Sequence, residues 1–543
     1  MTEAPEQRPV KPGRIFLFFL LLLAAGLGFL LLMDMVDPDI RERVDVKVPS
    51  FSSLTKKSPV YPDIESIIGS IVDSSENVVV IEPEMKKDTV GKAKVKPKKK
   101  IIPVDTVRAD ASYLKELRYP IEFPSGKENI LDPFFRALKT IQDKTEVIRV
   151  LHYGDSQIEG DRVTSFLRYK LQDQFGGRGT GLLRIKSVVP NASIALSLSD
   201  NWHKYAVGDE DCPDKYFGAL MNKAYFGDTL LHQDTLSDSI QNAWIEIKKT
   251  NRYGYMKNHC EYSRLKLVFD SVHSPVYLSF SIEDSVIIRD SLMPEYGMQM
   301  REWIIRDSPE KLKLEFESPK SPYFYALILE GDDGVAVDNI ALRGSAGLEF
   351  RRCSRNNLRQ MFDLLNVELL ILEFGVNVVP NVVNDYTYYQ NWFYSNLEWI
   401  KKIDPDLPVI VMSVSDVARK NPQGTWYESY PNISRIRDVQ RKAAFKAGYA
   451  FWDLYEAMGG KNSMAAWAFA EPPLGHTDFT HFTNKGARII SQMLYNAIIM
   501  EYNEYLSEDM ATQEQQPDTA KTDTVLKVRP AVEPDSIVAE VNY

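Results

Sequence analysis

Two short segments far apart in the chain carry side chains that together could attack an ester: Gly154-Asp155-Ser156 and Asp478-Phe479-Thr480-His481. A serine hydroxyl is a weak nucleophile until a base takes its proton. Histidine can be that base near neutral pH, and a carboxylate on its other nitrogen fixes the tautomer. The loop from Asp478 to His481 supplies base and acid three residues apart. The Asp-x-x-His spacing alone says little, since Asp200/His203 and Asp270/His273 repeat it. Neither of those pairs opens a helix after a parallel strand, so both read as surface or structural residues. His152, on a buried strand beside the serine turn, reads as a satisfied core histidine. Asp155 reads as a hydrogen-bonding brace of that turn.

A developing oxyanion needs donors. The Ser156 N–H at a helix start is one. The apolar run LLILEF (369–374) leads into Gly375-Val376-Asn377, whose side-chain amide is a second. Removing such a donor typically costs about 10²–10³ in rate. A third is the backbone of the turn Gly344-Ser345-Ala346-Gly347, where a residue without Cβ allows close approach. Gly344 is the candidate there, with Gly347 as the alternative.

The elements that must position these groups alternate. Residues 147–153 (VIRVLHY), 369–374, 408–413 and 450–454 read as strands; 133–142, 162–174, 388–403, 434–447 and 484–505 read as helices. Such alternation predicts a mostly parallel sheet covered on both faces, with Ser156 at the carboxyl edge where α/β ligand sites form. Between 183 and 341 the period drops to two, as in RLKLVFD (264–270), VYLSFSI (276–282) and KLKLEFE (311–317). That predicts an antiparallel β-sandwich inserted into the α/β domain. The expected division is 111–183 and 341–507 for the α/β domain and 184–340 for the insert.

The flanks differ in composition. Residues 15–33 are nineteen consecutive apolar residues without a charge, enough at about 1.5 Å per residue to cross the roughly 30 Å hydrocarbon core. They read as a transmembrane signal anchor behind a cytoplasmic segment 1–14 bearing Arg8, Lys11 and Arg14. Residues 34–110 read as a linker, with eight lysines among the fifteen residues 86–100. Residues 508–543 read as a disordered tail. The 543 residues carry 75 acidic and 65 basic side chains, a net charge of −10, which argues against a nucleic-acid partner. Cys212, Cys260 and Cys353 lack metal-ligand spacing. One disulfide, Cys212–Cys260, is open to an oxidising compartment.

Gly154-Asp155-Ser156, Gly344, Gly375-x-Asn377 and Asp478-x-x-His481 stand in the order of the blocks that define the SGNH/GDSL hydrolases, and the chain resembles that superfamily over about 130–183 and 341–507. The resemblance implies Ser156 as nucleophile, His481 as base and Asp478 as its orienting acid. It implies the Ser156 N–H, the Gly344 N–H and the Asn377 side chain as oxyanion hole, and a flavodoxin-like three-layer α/β/α fold. Val378 stands where the third block often has aspartate. The long gap between the serine and glycine blocks resembles bacterial peptidoglycan O-acetylesterases, in which a carbohydrate-binding-like β domain interrupts the catalytic one.

The function expected is a serine esterase removing O-acetyl groups from a cell-envelope glycan, without metal or organic cofactor, on the periplasmic side of the inner membrane. Trp426, Tyr427 and Tyr430 are candidate sugar-stacking rings. The same triad would serve an O-acetyltransferase with a multi-span acyl-transferring membrane partner. A non-catalytic glycan-binding protein is the third reading.

Overall fold

The computed structural model describes residues 12–34, 59–72, 119–227, 239–250, 257–282, 285–305 and 308–515. The parallel sheet has five strands, here β1 (Val147–Gly154), β2 (Gly334–Ala341), β3 (Val367–Glu373), β4 (Val409–Met412) and β5 (Ala450–Trp452). Their spatial order is 2-1-3-4-5 and every pairing is parallel. This is the flavodoxin-like doubly wound order, whose ligand crevice lies outside the carboxyl ends of β1 and β3. Ser156 follows β1 and Asn377 follows β3.

The strands are apolar on both faces because both are covered. The helices are α1 (Pro12–Asp34), α2 (Ile64–Val72), α3 (Asp132–Thr140), α4 (Thr164–Phe175), α5 (Arg355–Leu364), α6 (Thr387–Ile403), α7 (Ile433–Ala447), α8 (Leu454–Ala457), α9 (Ser463–Phe469) and α10 (Asn484–Gln515). Ile148, Val150, Leu369, Ile371, Ile410 and Met412 pack with α3, α4 and α10. Their strand neighbours Leu151, Tyr153, Leu370, Leu372, Val409 and Val411 pack with α5, α6 and α7. Alternate residues of each strand thus feed two helical layers.

The insert holds two antiparallel sheets over one shared hydrophobic core. The first has the order Glu295–Ile304, Arg264–Val272, Tyr323–Glu330, Asn222–Phe226, Trp202–Ala206, with Gly181–Leu183 paired to Tyr323–Glu330. The second has the order Ile194–Leu198, Gln241–Lys249, Lys311–Ser318, Val276–Ile282, Ser285–Leu292. A buried ionic seam ties insert to parent domain: Arg149 of β1 meets Asp338 of β2 at 2.8 Å and also Glu330, and Lys266 meets Glu330 at 2.7 Å. Breaking one partner of such a buried pair leaves a charge uncompensated, at about 3–5 kcal/mol.

Several expectations need correction. Gly334–Ala341 was expected within the insert, but it is the edge strand β2 of the parallel sheet. Its apolar run is broken by Asp338 and Asn339, polar residues on a covered strand that are satisfied by Arg149 and Thr164. Within the expected linker, α2 is docked: Ile67 is buried, Tyr61 Oη donates to the Tyr427 carbonyl at 3.0 Å, and the Asn462 amide donates to the Val60 carbonyl at 3.1 Å. The lysine-rich stretch 86–100 lies outside the described residues. The last helix runs to Gln515, into the expected tail, with an ion pair between Lys139 and Asp509. All three cysteines are free thiols, so Cys212–Cys260 is not a disulfide. Cys212 Sγ donates to the Asp214 carbonyl and Cys260 Sγ to those of Ser193 and Thr250. The segment 15–33 lies in α1, a helix of 23 residues with exposed Phe and Leu side chains. Among the described residues no helix is long and apolar enough to cross a membrane.

Candidate active site

The chain leaves β1 through Gly154, where an added Cβ would come within 2.9 Å of the Glu373 carbonyl and Ile158. Glycine alone lets the turn pass that close to β3. The turn is then pinned by Asp155, which is buried. Its Oδ1 accepts the Gln157 N–H at 3.0 Å, and its Oδ2 accepts the N–H groups of Gly375 and Val376 at 3.1 and 3.3 Å. Asp155 therefore ties the Ser156 turn to the loop that carries Asn377, the bracing role expected for it. Burial pushes its pKa up to about 7 against those three hydrogen bonds.

Ser156 Oγ lies 2.8 Å from His481 Nε2, and His481 Nδ1 lies 2.8 Å from Asp478 Oδ2. Two segments 325 residues apart in sequence thus form one hydrogen-bonded chain. Asp478 Oδ1 also accepts the N–H groups of Thr480 and His481 at 2.9 and 3.0 Å. Burial pulls the Asp478 carboxyl up, but the His481 ring and these two N–H groups outweigh it and hold its pKa below the ordinary value. The turn between acid and base places Phe479 at φ +54°, a conformation aromatic residues rarely adopt. Phe479 is held there by a face-to-face stack on Tyr427 with ring centres 3.6 Å apart.

The oxyanion candidates fall at the same edge. No acceptor within the protein takes the Ser156 or Gly344 N–H among the described residues. The Asn377 amide donates one hydrogen to the Ser345 carbonyl at 2.8 Å, which orients the group and leaves its second hydrogen available. At the alternative glycine the backbone N–H is already engaged. The Gly347 N–H donates to Ser345 Oγ at 2.8 Å, and a Cβ there would meet Phe374 and Phe393 at 2.9–3.0 Å. Gly344 is exposed, with φ +79° and nothing within 4 Å of an added Cβ.

Gln157 is a site residue that sequence reading missed. Its amide donates to Ser415 Oγ at 3.1 Å and to the Thr480 carbonyl at 2.9 Å, while its Oε1 accepts the Phe482 N–H at 3.0 Å. Arg162 adds a second clamp, from Nη2 to the Ser156 carbonyl at 2.9 Å. The only sequence signal for either is a polar side chain near the nucleophile.

His152 is buried as expected, with Nε2 3.1 Å from Glu373 Oε2 and Nδ1 3.1 Å from Thr164 Oγ1. His203 stacks on Tyr225, and Asp270 accepts from Tyr325 Oη at 3.2 Å; both lie in the insert, away from the triad. Tyr427 is committed to Phe479, and Tyr430 lies under the Arg419 guanidinium at 5.0 Å, so neither ring face is wholly open for stacking. Among the described residues no group of His, Cys, Asp and Glu could hold a metal ion.

No family model matches the chain, and no curated protein matches it. Among solved structures, a peptidoglycan O-acetylesterase is similar over 68% of this chain and 96% of its own, with 19% identity and a TM-score of 0.54. An acetyl xylan esterase (15% identity, 30% of this chain and 81% of its own, TM-score 0.21) superposes too loosely to bear on the fold. The same holds for a family two carbohydrate esterase from Cellvibrio japonicus (10% identity, 56% and 100%, TM-score 0.21). The first of these shares the fold of this chain over the span covered. In that fold and in its four sequence blocks, the chain resembles the SGNH/GDSL hydrolases.

Proposed function

We propose that this protein is a serine esterase that removes O-acetyl groups from a cell-envelope glycan such as peptidoglycan. The observation that carries the reading is the unbroken chain Ser156 Oγ–His481–Asp478, with both links at 2.8 Å, beside two unengaged backbone N–H groups. Ser156 Oγ attacks the acetyl carbonyl carbon as its proton passes to His481 Nε2. The negative oxygen rests on the Ser156 N–H, the Gly344 N–H and the Asn377 amide. The C–O bond to the sugar breaks as His481 returns that proton to the leaving sugar oxygen. Water, deprotonated by His481, then attacks the acetyl-serine and releases acetate and free Ser156. Each step is carried by side chains and backbone groups of this chain.

The apolar run 15–33, preceded by Arg8, Lys11 and Arg14, is the sequence basis for a single-pass anchor in the inner membrane with the catalytic domain in the periplasm. The two-sheet insert would act as a glycan-contacting module. The test is acetate release from O-acetylated peptidoglycan by the full chain in detergent. Release that disappears in Ser156→Ala is expected. Release that survives the substitution overturns the mechanism, and none from folded wild type overturns the hydrolase reading.

A further inference from the structure

A cleft of about 660 Å³ opens between the active-site edge and the insert. Gly344 and Ser345 of the oxyanion turn and Glu159, three residues past Ser156, line one side; Leu183 and Ile185 form an apolar part of the other. That volume is in the range of small-molecule pockets and large enough for a sugar ring.

The charges lining the cleft are unevenly matched. Every carboxylate there has a partner. Glu159 is held by Arg343 through Nε at 2.8 Å and Nη2 at 2.5 Å, and Asp161 is held by Arg168 at 2.7 and 3.1 Å. Glu349 accepts from Ser345 Oγ at 2.5 Å and from the Leu348 N–H at 2.8 Å. Two cations differ. Arg184 spends Nε and Nη2 on one carbonyl, that of Leu220, at 3.4 and 3.2 Å, with no carboxylate in contact among the described residues. Burial draws its pKa down to about 10; the carboxylate whose charge reaches it, Glu159, is already paired with Arg343. Lys204, on Trp202–Ala206, also lines the cleft and has no ion-pair partner among the described residues. A partly buried guanidinium without a counter-charge is costly unless an anion arrives, and its planar fork matches a carboxylate.

We propose that this cleft binds a carboxylate-bearing sugar of the glycan, with Arg184 and Lys204 as the ligands of the carboxylate. The cleft would seat that sugar next to the acetyl ester presented to Ser156, a placement that rests on the esterase reading above. The substrate class is therefore an acidic glycan, of uronic or free lactyl type, in preference to a neutral one.

The probes are an O-acetylated uronic-acid oligosaccharide and the same oligosaccharide with its carboxyl groups reduced to alcohols. Their equilibrium binding is measured by calorimetry on the full chain carrying Ser156→Ala, which needs no turnover. The acidic form should bind at least about tenfold more tightly, the scale of one charge-assisted hydrogen bond. Adding Arg184→Gln should remove most of that preference, and adding Lys204→Gln, at the rim, should lower it less. Equal binding of the two forms to the parent chain, or a preference unchanged by both substitutions, overturns the proposal. In the Ser156-bearing enzyme, Arg184→Gln should raise KM for the acidic substrate about tenfold more than KM for its carboxyl-reduced form. Loss of p-nitrophenyl acetate hydrolysis in wild type would instead count against the esterase reading, leaving the binding result to decide the cleft.

Discussion

The Gln157 amide donates to the Thr480 carbonyl at 2.9 Å, so the residue beside the nucleophile carries the loop that holds the base. Its Oε1 accepts the Phe482 N–H at 3.0 Å, and His481 lies between those two anchor points. The 2.8 Å Ser156–His481 contact thus depends on a side chain that need not touch substrate. Gln157→Ala should lower kcat by up to about 10²-fold, the scale for a displacement near 1 Å at a catalytic group. KM for p-nitrophenyl acetate should change little. A matched fall in folded fraction, or a KM effect alone, would contradict this positioning role.

Asp478 should matter less than the triad acid of enzymes in which that residue is buried. Its side chain is 52% exposed, so water can take over part of its hydrogen bonding. Asp478→Asn is expected to cost about 10²–10³ in kcat, against roughly 10⁴ where the acid is enclosed. Steady-state rates for Ser156→Ala, His481→Ala and Asp478→Asn should therefore rank with Asp478→Asn the most active.

The two glycines of the oxyanion turn should separate activity from stability. Gly347 has φ +80° and would press a Cβ into Phe374 at 2.9 Å, so Gly347→Ala should destabilise by about 1–3 kcal/mol. At Gly344 the space is open and only the φ of +79° resists. Gly344→Ala should cost about 1–2 kcal/mol, from the left-handed backbone alone, while lowering kcat more than Gly347→Ala does. Denaturant midpoints set beside kcat for both variants provide the check.

Asp416 should make stability depend on pH. It is fully buried, its Oδ2 accepts the Met464 N–H at 2.9 Å, and burial pushes its pKa up to about 7. With a folded pKa above the unfolded value, the native state holds the proton more firmly. The stability this confers is complete below pH 4 and is lost as pH rises through about 7. Asp416→Asn cannot ionise. Wild type should lose stability relative to Asp416→Asn between pH 4 and 8, by at most about 4 kcal/mol. Parallel denaturation curves across that range would rule the effect out.

The hydrogen-bonded cluster of Ser156, His481 and Asp478 was legible because these residues sit in short blocks whose residue types point to one another, on elements whose period is visible. Residues 147–153 and 369–374 declare themselves as covered strands by unbroken apolar runs. The strand Gly334–Ala341 did not, because its polar Asp338 and Asn339 gain meaning only from Arg149 and Thr164, brought close by the fold. Gln157 was silent for the same reason, its partners lying more than 250 residues away. The helix Ile64–Val72 had a readable signal, isoleucines at 64, 67, 68 and 71 on one helical face, masked by the polar character of its surroundings. The choice between Gly344 and Gly347 required the contacts of Phe374 and Phe393.

The central claim is that Ser156 carries the acetyl group between sugar and water. The most direct measurement mixes the full chain with an O-acetylated glycan, quenches in acid within the first turnovers and maps acetylated peptides by mass spectrometry. An acetyl adduct on Ser156, formed and lost at rates that account for acetate release and absent in His481→Ala, is the predicted result. Steady acetate release with Ser156 unmodified throughout, or an adduct on a different residue, would contradict it.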